Sequence, residues 1–297
     1  MAIINYPVCP GCSSSSIRQQ FSAEDFTVSH QLFGIWECGH CSLRFTQDVP
    51  DAASIGAFYR SDAYVSHTDT KEGIINRLYH FVRKRTMRKK NALIRHQTGL
   101  SSGRLLDIGA GTGAFVHVMQ RTGWQVTGLE PDSDTRQRAR ERYGLALLPV
   151  DTLFQLPEES FDAITLWHVL EHVHDLHAYI AQIKKLLTPN GRLFIAVPNY
   201  TSYDAGYYRQ FWAAYDVPRH LYHFSPASIH CLLEKHQLQL INCKPMWFDS
   251  FYISMLSWGY KTGGNNLIRS TWVGLVSNIH TLLNRQRCSS LTYIAKK

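Results

Sequence analysis

The sequence predicts an α/β fold: a mostly parallel sheet wound with helices, preceded by a small metal-binding module. Three observations predict it. From residue 104 onward, apolar strand-like runs alternate with amphipathic helical stretches. A glycine-rich turn joins the first of these runs to the first helix. Two C-x-x-C pairs stand near the start. The chain of 297 residues suffices for one large domain and a small one. Its composition, 44% hydrophobic and 18% charged, excludes a disordered chain.

Residues 1–48 read as a zinc-ribbon-like module. Cys9-Pro10-Gly11-Cys12 and Cys38-Gly39-His40-Cys41 are separated by 25 residues. A tight turn in each pair lets two thiolates converge on one ion. Four sulfurs make a closed tetrahedral shell, the chemistry of a structural Zn2+ site. A module this small needs such a metal to fold. The segment between the pairs, Phe26 to Trp36 included, suits a small hairpin. Cys231, Cys243 and Cys288 are isolated and read as plain thiols. No secretory signal and no apolar run of membrane-spanning length stands in the sequence, so the expected location is cytoplasmic.

Residues 49–100 read as a helical linker or lid. Ile74, Ile75, Leu78, Phe81 and Val82 recur at spacings of three and four, one buried face. The other face of 71–95 is basic: Lys71, Arg77, Arg83, Lys84, Arg85, Arg88, Lys89, Lys90 and Arg95. It is either a solvated helix face or a surface for RNA phosphates or acidic lipids. The formal net charge of +8 favours an anionic partner without choosing one.

Residues 101–297 carry the alternating pattern. Strands are expected at Arg104–Ile108, Gln125–Leu129, Phe161–Leu166, Arg192–Val197, Leu238–Cys243 and Leu291–Ala295. Helices are expected at Ala114–Thr122 and Ser133–Tyr143, stopped by Gly123 and Gly144, and after the Ser225-Pro226 cap. Residues 247–285 read as a helical insertion. Its aromatic stretch, Trp247 to Trp258, reads as buried packing or as a site for a lipid-linked substrate.

The turn Asp107-Ile108-Gly109-Ala110-Gly111-Thr112-Gly113 follows a strand and opens a helix. Glycines there let the backbone turn sharply beside a ligand. With Ala114 the run also fits the dinucleotide fingerprint G-x-G-x-x-G/A. Asp107 separates the two readings. A pyrophosphate against this turn would meet a like charge, costing roughly 4 kcal/mol at 4 Å and an effective dielectric of 20. S-adenosylmethionine carries an ammonium and a sulfonium instead, and an acid favours it. Glu130, at the end of the second strand, suits the two ribose hydroxyls. Asp151, after a further strand expected between Gln125–Leu129 and Phe161–Leu166, reads as an adenine-side contact or a surface turn residue.

Together with Gly128-Leu129-Glu130-Pro131, Leu156 to Asp162, Leu170-Glu171-His172-Val173 and Leu187 to Arg192, this stretch resembles class I S-adenosylmethionine-dependent methyltransferases in order and spacing. The resemblance implies a Rossmann-like seven-stranded sheet with an antiparallel last strand, and in-line transfer of a methyl group to a nucleophile. It also implies that the segment holding Tyr59, Tyr64, Ser66 and His67 closes over the cofactor.

His168-Val169-Leu170-Glu171-His172 spells an inverted zinc-protease motif, but its place after a sheet strand argues against a catalytic metal. His168 instead reads as a substrate contact, a base or a packed side chain. The run Asp216 to Phe224 holds His220, the first choice for general base, with Arg219 as an anion clamp and His223 as a further catalytic candidate. The four-Cys module ahead of this domain resembles sugar methyltransferases, so the expected substrate is a small molecule or a glycan or lipid-linked precursor. The alternatives are an RNA base methyltransferase and, third, an inactive binding module.

Overall fold

The computed structural model describes residues 2–59 and 74–297, with side chains of the second stretch described from residue 85. The lid candidates Tyr64, Ser66 and His67 and the cation Lys71 lie outside the described residues, as do the side chains of the expected apolar stripe Ile74 to Val82 and of Arg77, Arg83 and Lys84.

The N-terminal part runs β1 (Ile3–Ile4), β2 (Ile17–Glu24), β3 (Leu32–Cys38), β4 (Arg44–Thr46) and β5 (Val49–Pro50). β2 and β3 form an antiparallel hairpin around a turn at 25–31. The buried Asp25 organises that turn, accepting from the backbone N–H of Thr27, Val28 and Ser29. β4 pairs with β3 on one side and with the distant pair Tyr222–His223 on the other. The N-terminal sheet is thereby continuous with the loop that carries His220.

After α1 (Ile74–Thr98) comes the alternation the sequence announces: β6 (Arg104–Ile108), α2 (Ala114–Arg121), β7 (Gln125–Leu129), α3 (Ser133–Tyr143), β8 (Phe161–Trp167), α4 (Leu176–Leu186) and β9 (Leu187–Pro198). A short α5 (Tyr203–Tyr208), β10 (Tyr222–His223), α6 (Pro226–Lys235), β11 (Gln239–Pro245), α7 (Asp249–Thr262), α8 (Leu267–Leu283) and β12 (Ser290–Lys296) complete the chain. The main sheet has the order β11-β12-β9-β8-β6-β7. β6 to β9 are parallel, and β12 is antiparallel to both neighbours. Among the described residues this sheet has six strands. The expected seventh, beyond β7, is a single bridge from Leu129 to Leu148. Pro149 follows at once and has no N–H to extend a ladder.

Side chains on the strands alternate between two buried faces. Leu105, Ala163 and Phe194 meet Ile94 of α1 and Phe115 and Met119 of α2. Leu106, Ile164, Leu193 and Ile195 meet Ile180 and Ile183 of α4. α6 begins with the Ser225–Ser228 capping box that its Ser-Pro start implies. The insertion is a helical hairpin, α7 and α8. Contrary to an all-buried reading of its aromatic stretch, Phe248, Tyr252 and Met255 are exposed. Among the described residues no helix is long and apolar enough to cross a membrane.

Arg219 locks the two parts together. Its buried guanidinium donates to Asp25 at 2.9 Å, to Asp216 at 2.7 Å and to the Phe58 carbonyl at 2.8 Å. Removing one partner of such a group leaves a charge stranded in the interior, which typically costs 3–5 kcal/mol.

Candidate active site

The sheet order reverses at β6: β7 lies on one side and β8 on the other. Open α/β sheets bind ligands in the crevice at the carboxyl ends of their strands beside such a reversal. The glycine turn forms its floor. Gly109 and Gly113 have φ of +72° and +77°, and an added Cβ would lie 2.4 Å from Val169 Cγ2 and 2.6 Å from Leu145 Cδ1. Neither position accepts a side chain. The N–H groups of Gly109 and Ala110 both donate to the Leu129 carbonyl at 2.8 Å, pinning the turn to β7. Gly111, at φ +53°, meets nothing that a Cβ would displace and leaves the turn open on that side.

Asp107 is buried at the end of β6, and its Oδ1 accepts from the Thr165 hydroxyl at 2.6 Å. Burial pushes its carboxyl well above the usual range, and the Glu130 charge adds to this; the Thr165 hydrogen bond and the Lys90 ammonium oppose it. Lys90 approaches from α1 with Nζ 4.0 Å from the Trp167 ring centroid. Burial holds its pKa below the ordinary value, while Asp107 and Asp249 favour its charge. The crevice therefore keeps a cation beside its buried acid. Glu130 Oε2 accepts from Gly111 N–H at 2.8 Å and Oε1 from Asp132 N–H at 3.1 Å. Asp151 is exposed in the first turn of the 3-10 segment Val150–Gln155, at the outer edge beyond β7.

His168 follows β8 with φ +59°. Its Nε2 lies 3.2 Å from Asp249 Oδ2 and its Nδ1 3.5 Å from Glu171 Oε1. Burial alone would lower its pKa, but Asp249 and Glu171 outweigh burial and raise it to about 9. Glu171 is fully buried, and neither carboxylate oxygen has a close hydrogen-bond partner. Burial raises its pKa, yet His168, His220 and His172 together bring it below the ordinary value. Glu171, His172 and His220 place their ligand atoms within 4.8 Å of one another. His172 Nδ1 sits 3.0 Å from the Tyr59 hydroxyl and 3.1 Å from the Arg219 carbonyl. The His220 ring packs edge-on against His172 at 4.5 Å. Its Nδ1 lies 2.9 Å from the Ala214 carbonyl, so Nδ1–H donates and the neutral ring keeps Nε2 as an acceptor.

The candidates His168 and His220 are thus joined through Glu171. Arg219 and His223 turn the other way, into the joint with the N-terminal sheet. His223 is buried, its Nε2 is 3.0 Å from Thr46 Oγ1, and burial pushes its pKa well below the usual value. Sequence reading missed the part played by four residues of the crevice: Lys90, which it placed on the basic outer face of 71–95, Thr165, Glu171 as a lone buried acid, and Asp249. Two had a signal. Lys90 stands one turn before the buried Ile94, on the inner stripe of α1. Thr165 is the lone polar residue in Ala163-Ile164-Thr165-Leu166 and pairs in register with Asp107. Asp249 is 81 residues from His168 and has no local signature.

The four cysteines converge as a separate cluster. Cys9 and Cys41 sulfurs are 3.6 Å apart and Cys12 and Cys38 sulfurs 3.5 Å. All four lie within 4.8 Å of one another. Bonds of about 2.3 Å in a tetrahedral zinc–thiolate shell put sulfurs roughly 3.8 Å apart, whereas a disulfide needs about 2.05 Å. The N–H groups of Gly11 and His40 donate to Cys9 and Cys38 sulfur, both at 3.4 Å. Each pair ends in a serine of positive φ, Ser13 and Ser42, so the two knuckles share one conformation.

The fold and crevice define a class of α/β enzymes that bind a nucleoside cofactor at the sheet's reversal point. Residues 79–242, more than half of the chain, match the family model described as a methyltransferase domain, and the chain belongs to that family. A ubiquinone biosynthesis O-methyltransferase of Rhodopseudomonas palustris is 32% identical over 124 residues, 40% of this chain and 49% of that protein. A protein of the same description from Xanthomonas oryzae is 31% identical over 163 residues, 50% of this chain and 68% of that protein. The chain spans about half the length of the first of these relatives. Among solved structures, the 1,6-didemethyltoxoflavin-N1-methyltransferase of Burkholderia thailandensis, with bound S-adenosylhomocysteine, shares the fold. Its TM-score is 0.50 at 18% identity, over 93% of this chain and 99% of that one.

Proposed function

We propose that the chain transfers a methyl group from S-adenosylmethionine to a hydroxyl of a small molecule or of a glycan or lipid-linked precursor. The observation that carries the cofactor reading is the buried Asp107 at the end of β6, held by Thr165 beside the glycine turn. A carboxylate so placed favours a cationic ligand group and disfavours a phosphate. In this reading Asp107 and the open side of Gly111 receive the amino-acid end of the cofactor. Glu130 takes the ribose hydroxyls, releasing the Gly111 N–H, and Asp151 borders the adenine side. The cofactor, when bound, supplies an electrophilic methyl on a sulfonium. The O-methyltransferase relatives support a hydroxyl acceptor and a small substrate.

His220 is the proposed base. Its Nε2 accepts the acceptor's proton, and the Glu171 carboxylate, poor in hydrogen bonds, stabilises the resulting imidazolium. His168, held protonated by Asp249 and Glu171, turns both ring N–H groups to these carboxylates and so positions Glu171 instead of taking the acceptor's proton. Arg219 and His223 act as positioning residues for the His220 loop. The exposed Arg85, Arg88, Lys89 and Arg95 on α1 support RNA as a second reading, while Lys90 is engaged in the crevice. The four-Cys cluster is proposed to hold one structural Zn2+. Its geometry supports this: the shell is closed, with four ligands and no open position.

Titration calorimetry tests the cofactor site: Asp107→Ala is expected to lose detectable S-adenosylmethionine binding with far-UV circular dichroism unchanged, and retained affinity would overturn the assignment. For the base, His220→Asn is expected to lower turnover about 100-fold or more with cofactor affinity nearly unchanged. Parallel loss of both quantities would count against a proton-transfer role. Elemental analysis of the purified chain is expected to give one zinc per chain, lost in Cys9→Ser/Cys41→Ser; a metal-free, stably folded protein would refute the site.

A further inference from the structure

The α7–α8 hairpin is built inside out. The faces it turns inward are mostly small and hydroxylic: Ser250, Ser254 and Ser257 beside Ile253 on α7, and Ser270, Gly274, Ser277 and Thr281 beside Val273 on α8. The helices touch at Gly274, where a Cβ would lie 2.8 Å from Phe251 Cδ1. The inner serines are held by specific partners. Ser277 Oγ donates to the buried Asp204 at 2.7 Å, and Ser257 Oγ accepts from Ala213 N–H at 2.8 Å. These bonds fix the rotation of both helices.

Most of the large apolar residues of α8 consequently face outward. They are Ile268 (84% exposed), Trp272 (64%), Leu275, Ile279, Leu282 (72%) and Leu283 (82%). Their spacing of three and four makes one continuous stripe along the helix. Met255 of α7 is exposed as well, and a groove of about 770 Å³ lined by Tyr207 and Trp258 opens beside Trp272. A soluble helix hides such residues in the core. Small residues between helices and large apolar ones outside is the arrangement that lipid selects. At 17 residues α8 is too short to span a bilayer comfortably, and it suits an interfacial position.

Charge narrows the partner. Residues 250–297 contain six Lys and Arg and no Asp or Glu. Arg269 near the start of α8 and Arg285 just past its end are both exposed, bracketing the stripe. We propose that the outer face of α7–α8 docks the protein on an anionic phospholipid bilayer, lying in the interface with its apolar stripe among the acyl chains and its cations at the headgroups. The docking face is tied to the crevice. Asp249, the first residue of α7, contacts His168 at 3.2 Å, and Phe248 beside it lies 5.5 Å below Lys89 Nζ of α1. A lipid-borne acceptor would reach the site from this side; that corollary rests on the proposed function, whereas docking itself does not.

Flotation of the full chain with vesicles tests the proposal. The protein is expected to float with phosphatidylcholine–phosphatidylglycerol vesicles and far less with pure phosphatidylcholine. Ile268→Ser/Trp272→Ser/Leu282→Ser is expected to lower the partition at least about tenfold, with S-adenosylmethionine affinity and thermal unfolding unchanged. Arg269→Gln/Arg285→Gln is expected to lower it about tenfold or more on anionic vesicles only. Failure of the folded wild type to float, or undiminished flotation of the triple-serine variant, would overturn the proposal. So would a concentration-dependent dimer in light scattering that the same variant breaks while vesicle binding is absent, since the stripe would then belong to a second copy. A docking result leaves the methyltransferase reading untouched, because calorimetry on Asp107→Ala decides that separately.

Discussion

A carboxylate buried at the end of a central strand is the constraint around which the crevice is arranged. Asp107 lies where β6 parts company with β7 and β8, and dehydration makes its charge costly unless a cation stands near. Lys90 supplies that cation from α1, and Thr165 fixes the carboxylate's orientation from β8. Both partners follow from the fold. Parallel pairing puts Thr165 opposite Asp107, and the packing of Ile94 on the sheet carries Lys90 into the crevice one turn earlier. The glycine turn then keeps side chains out of the space in front of the acid.

The N-terminal module, whose four cysteines are proposed to hold a metal, also has a positional role. The knuckle at Cys38–Cys41 leads directly into β4, and β4 pairs with β10. Ser42 and Ser225 hydroxyls are 2.7 Å apart, and Thr46 Oγ1 donates to the His220 carbonyl at 2.7 Å. Arg219 closes the joint through Asp25 on the hairpin turn. The four sulfurs therefore stand at the root of the strand that holds the His220 loop. His220 depends on a chain of backbone and hydroxyl contacts that begins at the cysteines. His168 is anchored independently, through Asp249 on the insertion.

Much of this was legible in the sequence because its signals are local. β6, β7 and α3 begin and end at the expected residues, since glycines and an Asp cap punctuate them. The cysteine spacing implied one cluster, and one cluster forms. What was hidden depends on contacts between distant segments. The β4–β10 pairing joins residues 45 and 222, and neither two- nor three-residue strand has a pattern of its own. The run Asp216 to Phe224 looked like a single catalytic loop. Arg219 and His223 instead face the joint, because Asp25 draws the Arg219 guanidinium and the β4–β10 pairing turns His223 toward Thr46. The insertion was read as helical from its apolar residues, yet periodicity cannot say whether an apolar stripe faces a core or the outside. Here the buried serines decided it. The expected seventh strand's reduction to one bridge reflects a proline at position 149 that sequence inspection could have weighed.

The central claim is that Asp107 is a buried acid waiting for a cationic ligand group, and proton linkage tests it most directly. Burial raises the folded pKa, so the unliganded carboxyl binds a proton at pH values where a free one would not. An ammonium brought beside it favours the ionised form. Calorimetric binding of S-adenosylmethionine near pH 6, in buffers of different ionisation enthalpy, is predicted to show net proton release. The release should diminish as pH rises past the raised pKa, affinity should fall as pH drops below it, and Asp107→Asn should abolish the linkage. Proton uptake on binding, or affinity that does not change with pH across this range, would contradict the account.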